Sequence, residues 1–318
     1  MIETKVVIVG AGPAGLAAAI QLRRCSIQCV LLEKSRAGGL LWEAKLIDNY
    51  PRFFDGISGP QLARQIAAHA IRMGVTVVKE CVSRVDLLEL SQREVEKRTR
   101  SLLRGTSDAH MDGRNKVAGR FHVATDKNEY QTDYVVVASG TAPCPVPLPV
   151  PAECTGRVHS NIEALRNVTN KRIAIVGAGD AAFDYALNLV KNRNSVTILN
   201  RSGETKCLRL LFDCVLSHPS ISYRAEWPVS KVEAGETGAI LRIRSATGET
   251  IEADFMLFAI GRIPRLDFLA AELLACPPPG LFLAGDVKNG LCRQAIIAAG
   301  EGLRAAMEIY FDMQAEKV

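Results

Sequence analysis

The chain has 318 residues, of which 48% are hydrophobic and 23% are charged, and its formal net charge is +5. This length predicts about two domains of ordinary size, and the composition is typical of a globular protein rather than a disordered one. A charge this small gives no reason to expect nucleic-acid binding. The sequence contains no apolar run near the roughly 20 residues that a membrane span needs.

The first residues and the cysteines bear on the cellular compartment. Residues 1–5 lead directly into an apolar segment, without the basic and apolar pattern of a secretory signal. Nine cysteines are scattered along the chain and form no C-x-x-C pair, so we expect most of them to be buried, reduced thiols. These features predict a cytoplasmic protein.

The chain opens with an apolar strand, a glycine-rich turn and a helix. The turn comprises Gly10, Gly12, Pro13, Ala14 and Gly15. In such a G-x-G-x-x-G pattern the three glycines permit a tight turn, close approach of a pyrophosphate and close packing of helix on strand. Glu33 ends the next predicted strand, 21 residues after Gly12, where a carboxylate can accept hydrogen bonds from a ribose. This segment predicts a dinucleotide-binding unit.

The same arrangement recurs once. Residues 172–182 again give an apolar strand and a glycine turn, which includes Gly177, Gly179, Asp180 and Ala181, and Asn200 again follows the middle glycine by 21 residues. Such a repeat predicts a duplicated fold. We therefore expect an α/β protein with two Rossmann-like dinucleotide-binding domains of the three-layer ββα type, the second inserted into the first.

Proline-rich segments at 143–151 and 276–280 place the domain boundaries. They predict a first domain of residues 1–147 and 267–318 and a second of residues 148–266. Residues 91–120 contain eight Lys/Arg and four Asp/Glu, which favours a solvated basic insertion of about 85–122 in a small β-meander. The alternative is that this basic segment attracts an acidic electron carrier.

The order of motifs resembles that of the flavoprotein disulfide reductases with two dinucleotide domains. The segments that carry this resemblance are the two glycine turns, Ala-Ser-Gly at 138–140, Ala-Ile-Gly at 259–261 and Ala-Gly-Asp at 284–286. Four further segments are similar to the low-molecular-weight thioredoxin reductases: GGLL at 38–41, DNYP at 48–51, GISG at 56–59 and RQA at 293–295. The resemblance covers nearly the whole chain outside residues 85–122.

The resemblance implies that the first domain binds FAD. The matching positions are Gly10, Gly12, Pro13, Ala14, Gly15, Glu33, Lys34, Gly39, Leu40, Asn49, Val82, Ala138, Gly140, Gly285, Asp286, Arg293, Gln294 and Ala295. A carboxylate at Asp286 suits the ribityl hydroxyls, and the N-terminus of the helix after Gln294 can stabilise an anionic reduced flavin. The resemblance also implies a homodimer.

The chain departs from this branch at the redox-active thiols. The family places a C-x-x-C pair just before the second glycine turn, whereas residues 153–172 contain Cys154 alone. One cysteine cannot form an intramolecular disulfide. Cys207 and Cys214, or Cys292 beside the flavin-binding segment, are the alternative redox thiols, but none gives a strong dithiol pattern.

The second departure is at the nicotinamide site. The strand after the second glycine turn ends in Asn200-Arg201-Ser202-Gly203, whereas relatives that use NADPH usually have a His-Arg-Arg cluster there. Arg201 supplies part of a clamp for a 2′-phosphate, to which Lys206 and Arg209 can add. The second site therefore binds NADPH, holds another cofactor, or is empty.

These features leave three hypotheses of function. The first is an FAD-dependent oxidoreductase of thioredoxin reductase type that passes electrons between NADPH, or another reduced donor, and an acceptor without a resident C-x-x-C. The second is a ferredoxin–NADP reductase-like enzyme or a carrier-fed disulfide reductase with a repurposed nicotinamide site. The third is a non-catalytic flavin-binding redox sensor. The expected partner of the two enzymes is a small redox protein: ferredoxin, flavodoxin or thioredoxin.

Overall fold

The computed structural model describes residues 1–88, 120–235 and 240–315. The helices of the described residues are α1 (Pro13–Arg24), α2 (Gly59–Arg72), α3 (Asp180–Val190), α4 (Arg209–Leu216), α5 (Ala271–Ala275) and α6 (Ala295–Ala315). The strands are β1 (Ile2–Val9), β2 (Cys29–Leu32), β3 (Val77–Val78), β4 (Val82–Leu88), β5 (Arg120–Thr125), β6 (Glu129–Val137), β7 (Thr141–Pro143), β8 (Val158–His159), β9 (Arg172–Val176), β10 (Ser195–Leu199), β11 (Ile221–Arg224), β12 (Val229–Ala234), β13 (Leu241–Ser245), β14 (Thr250–Ala253), β15 (Phe255–Phe258), β16 (Arg262–Pro264) and β17 (Leu281–Leu283).

The chain divides into two compact units. The first comprises Met1–Trp42, Asn49–Thr141 and Pro264–Val318, and the second comprises Glu43–Asp48 and Ala142–Ile263. The second unit therefore starts and ends a few residues before the predicted 148–266, and it includes a short segment from early in the chain that the sequence did not indicate. Most of the basic segment at 91–120 lies outside the described residues.

The first unit is built on one sheet of the described strands in the order β3-β2-β1-β6-β5-β4, with β17 also paired to β6. The pairs among β3, β2, β1, β6 and β17 are parallel, and β4, β5 and β6 pair antiparallel. Successive residues of β1 point to opposite faces. Val6 and Ile8 pack against α1 and α6, whereas Val7 and Val9 pack with β4 and β5. Because both faces are covered, the unit has three layers.

The second unit repeats this plan. Its parallel sheet has the order β11-β10-β9-β15-β8, and β12, β13 and β14 form an antiparallel sheet. Ile173 and Ile175 of β9 pack with α3 and α4, and Ala174 between them packs with β12, β13 and β14. The α/β class and the duplicated dinucleotide-binding architecture predicted from the repeat are thus confirmed.

The segment Glu43–Asp48 of the second unit is held by α3. Tyr185 Oη donates to Glu43 Oε2 at 2.7 Å, and Arg262 Nη1 lies 3.4 Å from the same oxygen. The backbone N–H of Lys45 donates to Asp184 Oδ2 at 3.1 Å. Burial raises the pKa of Asp184 to about 6, and the pKa of Tyr185 is also raised, first by burial and then by Glu43.

Within the part of the chain that the structure describes, no helix is long and apolar enough to cross a membrane. The same residues contain no group of three or more His, Cys, Asp or Glu side chains arranged to hold a metal ion.

Candidate functional site

The first glycine turn contains two glycines that the protein itself requires. Gly10 has φ +100°, and a Cβ there would overlap the backbone of Ala138 at the end of β6. A Cβ at Gly15 would overlap Gly10 O. Any side chain at either position would therefore push α1 or β6 away from the turn.

Gly12 differs from both of these glycines. Its backbone angles, φ −74° and ψ −174°, are open to any residue, and no atom of the structure lies within 4 Å of a Cβ built on it. Packing therefore gives no reason for a glycine here. Gly12 is also the N-cap of α1, and no side chain caps the helix there, so the first N–H groups of α1 can meet an anion. This cradle fits the pyrophosphate of FAD.

Glu33 lies against this turn. Its Oε2 accepts a hydrogen bond from the N–H of Ala11 at 2.9 Å, and its Oε1 accepts one from the N–H of Ser35 at 2.9 Å. The backbone N–H of Glu80 donates to Glu33 O at 3.2 Å, which brings the start of β4, with Val82, to the same end of the sheet. Ser35 Oγ also donates to Oε1 at 3.1 Å, so the carboxylate is fixed, and the remaining lone pair on Oε2 can accept a ribose hydroxyl.

The segment 38–40 crosses the turn. The N–H of Gly38 donates to Ala11 O at 2.7 Å, and a Cβ on Gly39 would lie 3.1 Å from Gly12 Cα. Leu40 follows directly and is half-buried. The structure therefore places Gly39 beside Gly12, and Leu40 is the next residue along the chain. Lys34 is exposed next to Glu33.

Two further contacts join predicted FAD residues that are far apart in the sequence. Gly285, with φ +81°, packs on Ala14: a Cβ on Gly285 would lie 3.0 Å from Ala14 Cβ. Asp286 follows directly and is half-buried. Farther along, Asn49 Nδ2 donates to Gln294 Oε1 at 2.9 Å, immediately before α6 begins at Ala295.

The remaining predicted FAD positions lie in the same unit. Ala138 follows β6, and its N–H donates to Val9 O at 2.8 Å. No atom lies within 4 Å of a Cβ built on Gly140. Arg293 is half-buried directly before Gln294, and Pro13 is the first residue of α1.

The second unit has a matching turn. A Cβ on Gly177 would overlap Ala259 O, whereas no atom lies within 4 Å of a Cβ on Gly179. Gly179 is the N-cap of α3, and no side chain caps this helix either. The third glycine of the pattern is replaced by Ala182, which is fully buried. Like Gly12, Gly179 leaves room for a pyrophosphate beside a helix N-terminus, with Ala181 in its first turn.

A loop after β10 folds over this second turn. Thr205 Oγ1 and the N–H of Lys206 both donate to Ala178 O, at 2.9 and 3.0 Å, and the N–H of Leu208 donates to Asp180 Oδ1 at 2.8 Å. Sequence reasoning missed this role of Asp180, because nothing near it in sequence indicates a partner 28 residues away.

Asn200 does not face the ribose position that its spacing suggests. Its side chain is 4% exposed, and its Nδ2 donates to Glu204 O at 2.8 Å and to Tyr223 Oη at 2.9 Å. Arg201, the next residue, is exposed. The Asn200 side chain is thus engaged within the protein, whereas the Arg201 side chain is open to solvent.

All nine cysteines are free thiols. Cys154, the cysteine nearest to the family's C-x-x-C position, is 1% exposed in the core of the second unit, and burial raises the pKa of its thiol. Burial, with a further contribution from Asp180, raises the pKa of Cys207 to about 12. Such a thiol is almost wholly protonated at neutral pH and is a poor nucleophile. Cys214 and Cys292 are exposed.

Each of the two turns has one glycine that packing does not require and a helix N-terminus without a side-chain cap, which is the arrangement typical of dinucleotide-binding units. The chain belongs to the pyridine nucleotide-disulphide oxidoreductase family, whose model matches residues 4–302. It is thus an oxidoreductase of the thioredoxin reductase type, and the thioredoxin reductases use FAD and NADPH.

Curated relatives are similar to this chain over nearly its whole length, and solved structures share its fold. The chain is 31% identical to the thioredoxin reductase of Streptomyces clavuligerus over 95% of this chain and 92% of that protein. It is 27% identical to that of Rickettsia prowazekii, over 97% of each. The solved thioredoxin reductase of Lactococcus lactis matches 99% of this chain and 100% of its own with a TM-score of 0.78 at 23% identity. A bacillithiol disulfide reductase from Staphylococcus aureus matches 100% of both chains with a TM-score of 0.71 at 17% identity.

Proposed function

We propose that the protein passes electrons from NADPH to an acceptor that meets the flavin without a resident C-x-x-C pair. The observation that carries this proposal is the state of Cys154, the one cysteine in residues 153–172. It is buried among apolar side chains of the second unit and has a raised thiol pKa. A buried protonated thiol with no second cysteine three residues away cannot relay electrons to a thioredoxin by disulfide exchange.

In this proposal the first unit holds FAD and the second holds NADPH. Gly12 and the N-terminus of α1 bind the pyrophosphate of FAD, Glu33 binds the ribose, and Asp286 binds the ribityl chain. Gly179 and the N-terminus of α3 bind the pyrophosphate of NADPH, and Arg201 pairs with the 2′-phosphate. Bound FAD would accept two electrons from NADPH as a hydride and pass them on singly or as a pair, as the acceptor requires. A small redox protein of the ferredoxin or flavodoxin class, which needs no dithiol relay, is the acceptor that we propose.

The loop over the second turn favours a second candidate. Thr205 and Lys206 donate to Ala178, so the chain's own residues lie against the turn that would receive the nicotinamide dinucleotide. The second candidate is a carrier-fed disulfide reductase, in which a reduced small protein replaces NADPH as the donor.

The purified flavoprotein distinguishes these candidates. It is titrated anaerobically with NADPH, NADH or reduced ferredoxin while the flavin absorbance is followed. We expect NADPH to bleach the flavin, ferricyanide to be reduced rapidly, and thioredoxin to be reduced slowly. Bleaching by ferredoxin alone would support the carrier-fed candidate, and no bleaching by any donor would indicate a flavin-binding sensor. Rapid NADPH-dependent thioredoxin reduction would contradict the proposed route.

A further inference from the structure

Glu301 is an acidic residue of α6 to which neither the motifs nor the family resemblance gives a role. Its Oε2 accepts two hydrogen bonds, from the N–H of Gly285 at 2.6 Å and from Asn289 Nδ2 at 2.9 Å. Its Oε1 lies 3.5 Å from Lys288 Nζ, and the Glu301 side chain is 21% exposed. All three partners belong to the loop that joins β17 to α6.

This loop consists of two turns, and Glu301 holds one residue of each. In the first, the N–H of Lys288 donates to Gly285 O at 3.1 Å; in the second, the N–H of Cys292 donates to Asn289 O at 2.7 Å. Asp286 lies inside the first turn, directly after the amide that Glu301 binds. The second turn leads to Arg293 and Gln294. The carboxylate thus holds the loop on both sides of Asp286, one of the residues assigned to FAD.

We propose that Glu301 is a positioning residue for FAD, which sets the loop 285–292 before the cofactor binds. This inference rests on the assignment of FAD to the first unit. A hydrogen bond to a carboxylate is stronger than one between neutral groups, and Lys288 offsets part of the cost of the partly buried charge. A loop ordered in advance loses less conformational entropy when the ligand arrives, so it binds more tightly.

The packing of α6 does not depend on the Glu301 side chain. The helix is held on α1 by small residues: a Cβ on Gly302 would overlap Ala14 O, and Ala298 and Ala305 are buried between the helices. Alanine is also the best helix former. Glu301→Ala should therefore leave the fold of the FAD-free protein intact while it frees the loop.

The test compares FAD binding by stripped protein, measured by quenching of flavin fluorescence, in Glu301→Ala, Glu301→Gln and the wild type. Glu301→Ala should raise the Kd for FAD about tenfold or more, because two charge-assisted hydrogen bonds are lost. Glu301→Gln keeps an acceptor oxygen and should stay within about threefold of the wild type. Glu308→Ala, which removes a carboxylate farther along α6, is the matched control and should bind FAD normally.

Two further measurements make the result decisive. Each FAD-free variant should stay folded, with a melting temperature no more than a few degrees below that of the wild type, and Asn289→Ala should give a smaller loss of affinity than Glu301→Ala. An unchanged Kd in Glu301→Ala, or an equal loss in Glu301→Gln, overturns the positioning role. Asp286→Ala is measured alongside. Normal FAD binding by Asp286→Ala would refute the FAD site itself. If Asp286→Ala loses FAD binding but Glu301→Ala binds FAD normally, only the positioning role of Glu301 is refuted.

Discussion

Asn49 and Gln294 are 245 residues apart in the chain, yet Asn49 Nδ2 donates a hydrogen bond of 2.9 Å to Gln294 Oε1. This contact joins the loop before α2 to the residue before α6, and both residues belong to the site that we propose for FAD. Removing one partner leaves the other polar group without its acceptor or donor. The first prediction concerns this hydrogen bond.

Asn49→Ala and Gln294→Ala should each weaken FAD binding, and the double variant should lose less than the sum of the two. The reason is that both single changes break the same hydrogen bond, so their effects are coupled. The measurement is a double-mutant cycle on the Kd for FAD, with Gln61→Ala, a change of an exposed amide on α2, as the control. Strict additivity would show that the two side chains act separately.

Gly12→Val should abolish FAD binding without destabilising the FAD-free protein. Among the described residues, no atom outside the adjacent ones lies within 4 Å of a Cβ at Gly12, so the protein has room for this carbon and we expect the valine to compete with the pyrophosphate. Absorbance at 450 nm per chain reports occupancy, and thermal unfolding of the stripped protein reports stability. Gly156→Val adds the same side chain at another open glycine, in the second unit, and should retain FAD. A fully flavinated Gly12→Val would refute the assignment.

Gly15→Ala should behave in the opposite way. A Cβ there would overlap Gly10 O, so the change strains the packing of α1 on β1 whether or not FAD is present. We expect the FAD-free protein to lose about 1–3 kcal/mol of stability, measured by urea unfolding. A variant as stable as the wild type would show that the turn relaxes freely, contrary to the close packing described.

Local motifs, such as the two glycine turns, account for the features that the sequence predicts correctly. The G-x-G-x-x-G pattern and its recurrence predicted both dinucleotide folds, because strand, turn and helix are adjacent in the chain and follow local rules. The assignment of Glu33 to the turn followed from the regular length of a βαβ unit.

Contacts between distant residues could not be predicted in this way. Glu301 stands on a helix whose sequence gives no sign that its carboxylate meets Gly285 and Asn289. The segment Glu43–Asp48 belongs to the second unit only because Tyr185, Asp184 and Arg262 come together in three dimensions. Asn200 has the spacing of a ribose ligand, but competition from Glu204 O and Tyr223 Oη turns its side chain inward.

Asp184 should make the second unit less stable as pH rises from about 4 to 6. Burial raises the pKa of its carboxyl to about 6 in the folded protein, above that of an unfolded aspartate. Between these values the folded protein binds one more proton than the unfolded chain, so the free energy of unfolding falls with rising pH. The cost of the ionised group at pH 7.5 is on the order of 2 kcal/mol.

Asp184→Asn removes this titration but keeps an oxygen for the N–H of Lys45. It should raise the melting temperature by a few degrees at pH 7.5 and change it little at pH 4.5. Asp213→Asn, at an exposed carboxylate of α4 paired with Arg209, is the control and should shift stability by no more than about 0.5 kcal/mol. Equal shifts of Asp184→Asn at both pH values would contradict the account.

Arg201→Ala should raise the KM for NADPH more than that for NADH. The guanidinium is exposed at the end of β10 and is the proposed partner of the 2′-phosphate, which NADH lacks. Loss of a charged hydrogen bond of about 1.5–3 kcal/mol predicts a roughly 10- to 150-fold effect on kcat/KM for NADPH. Arg244→Ala, in the antiparallel sheet of the same unit, should leave both values unchanged. Equal losses with the two nucleotides would remove Arg201 from the phosphate site.

The last prediction concerns the reactivity of two cysteines, Cys207 and Cys214, which lie close in the sequence but have different surroundings. Cys207 is half-buried beside Asp180, and its pKa of about 12 leaves a thiolate fraction on the order of 10⁻⁴ or less at pH 7.5. Cys214, seven residues later, is exposed on α4. Iodoacetamide should therefore alkylate Cys214 at least about 100-fold faster than Cys207 in the native protein.

Peptide mass spectrometry at timed intervals measures both rates, and the same reaction in urea, where the two thiols should react alike, is the control. Cys207→Ser and Cys154→Ser should also leave NADPH-dependent ferricyanide reduction unchanged, since neither thiol lies on the proposed electron route. Two results together would contradict this account: Cys207 reacts as fast as Cys214, and thioredoxin reduction disappears in Cys207→Ser. They would identify Cys207 as part of a working dithiol. The electron route would then run through the loop over the second glycine turn rather than directly from the flavin to the acceptor.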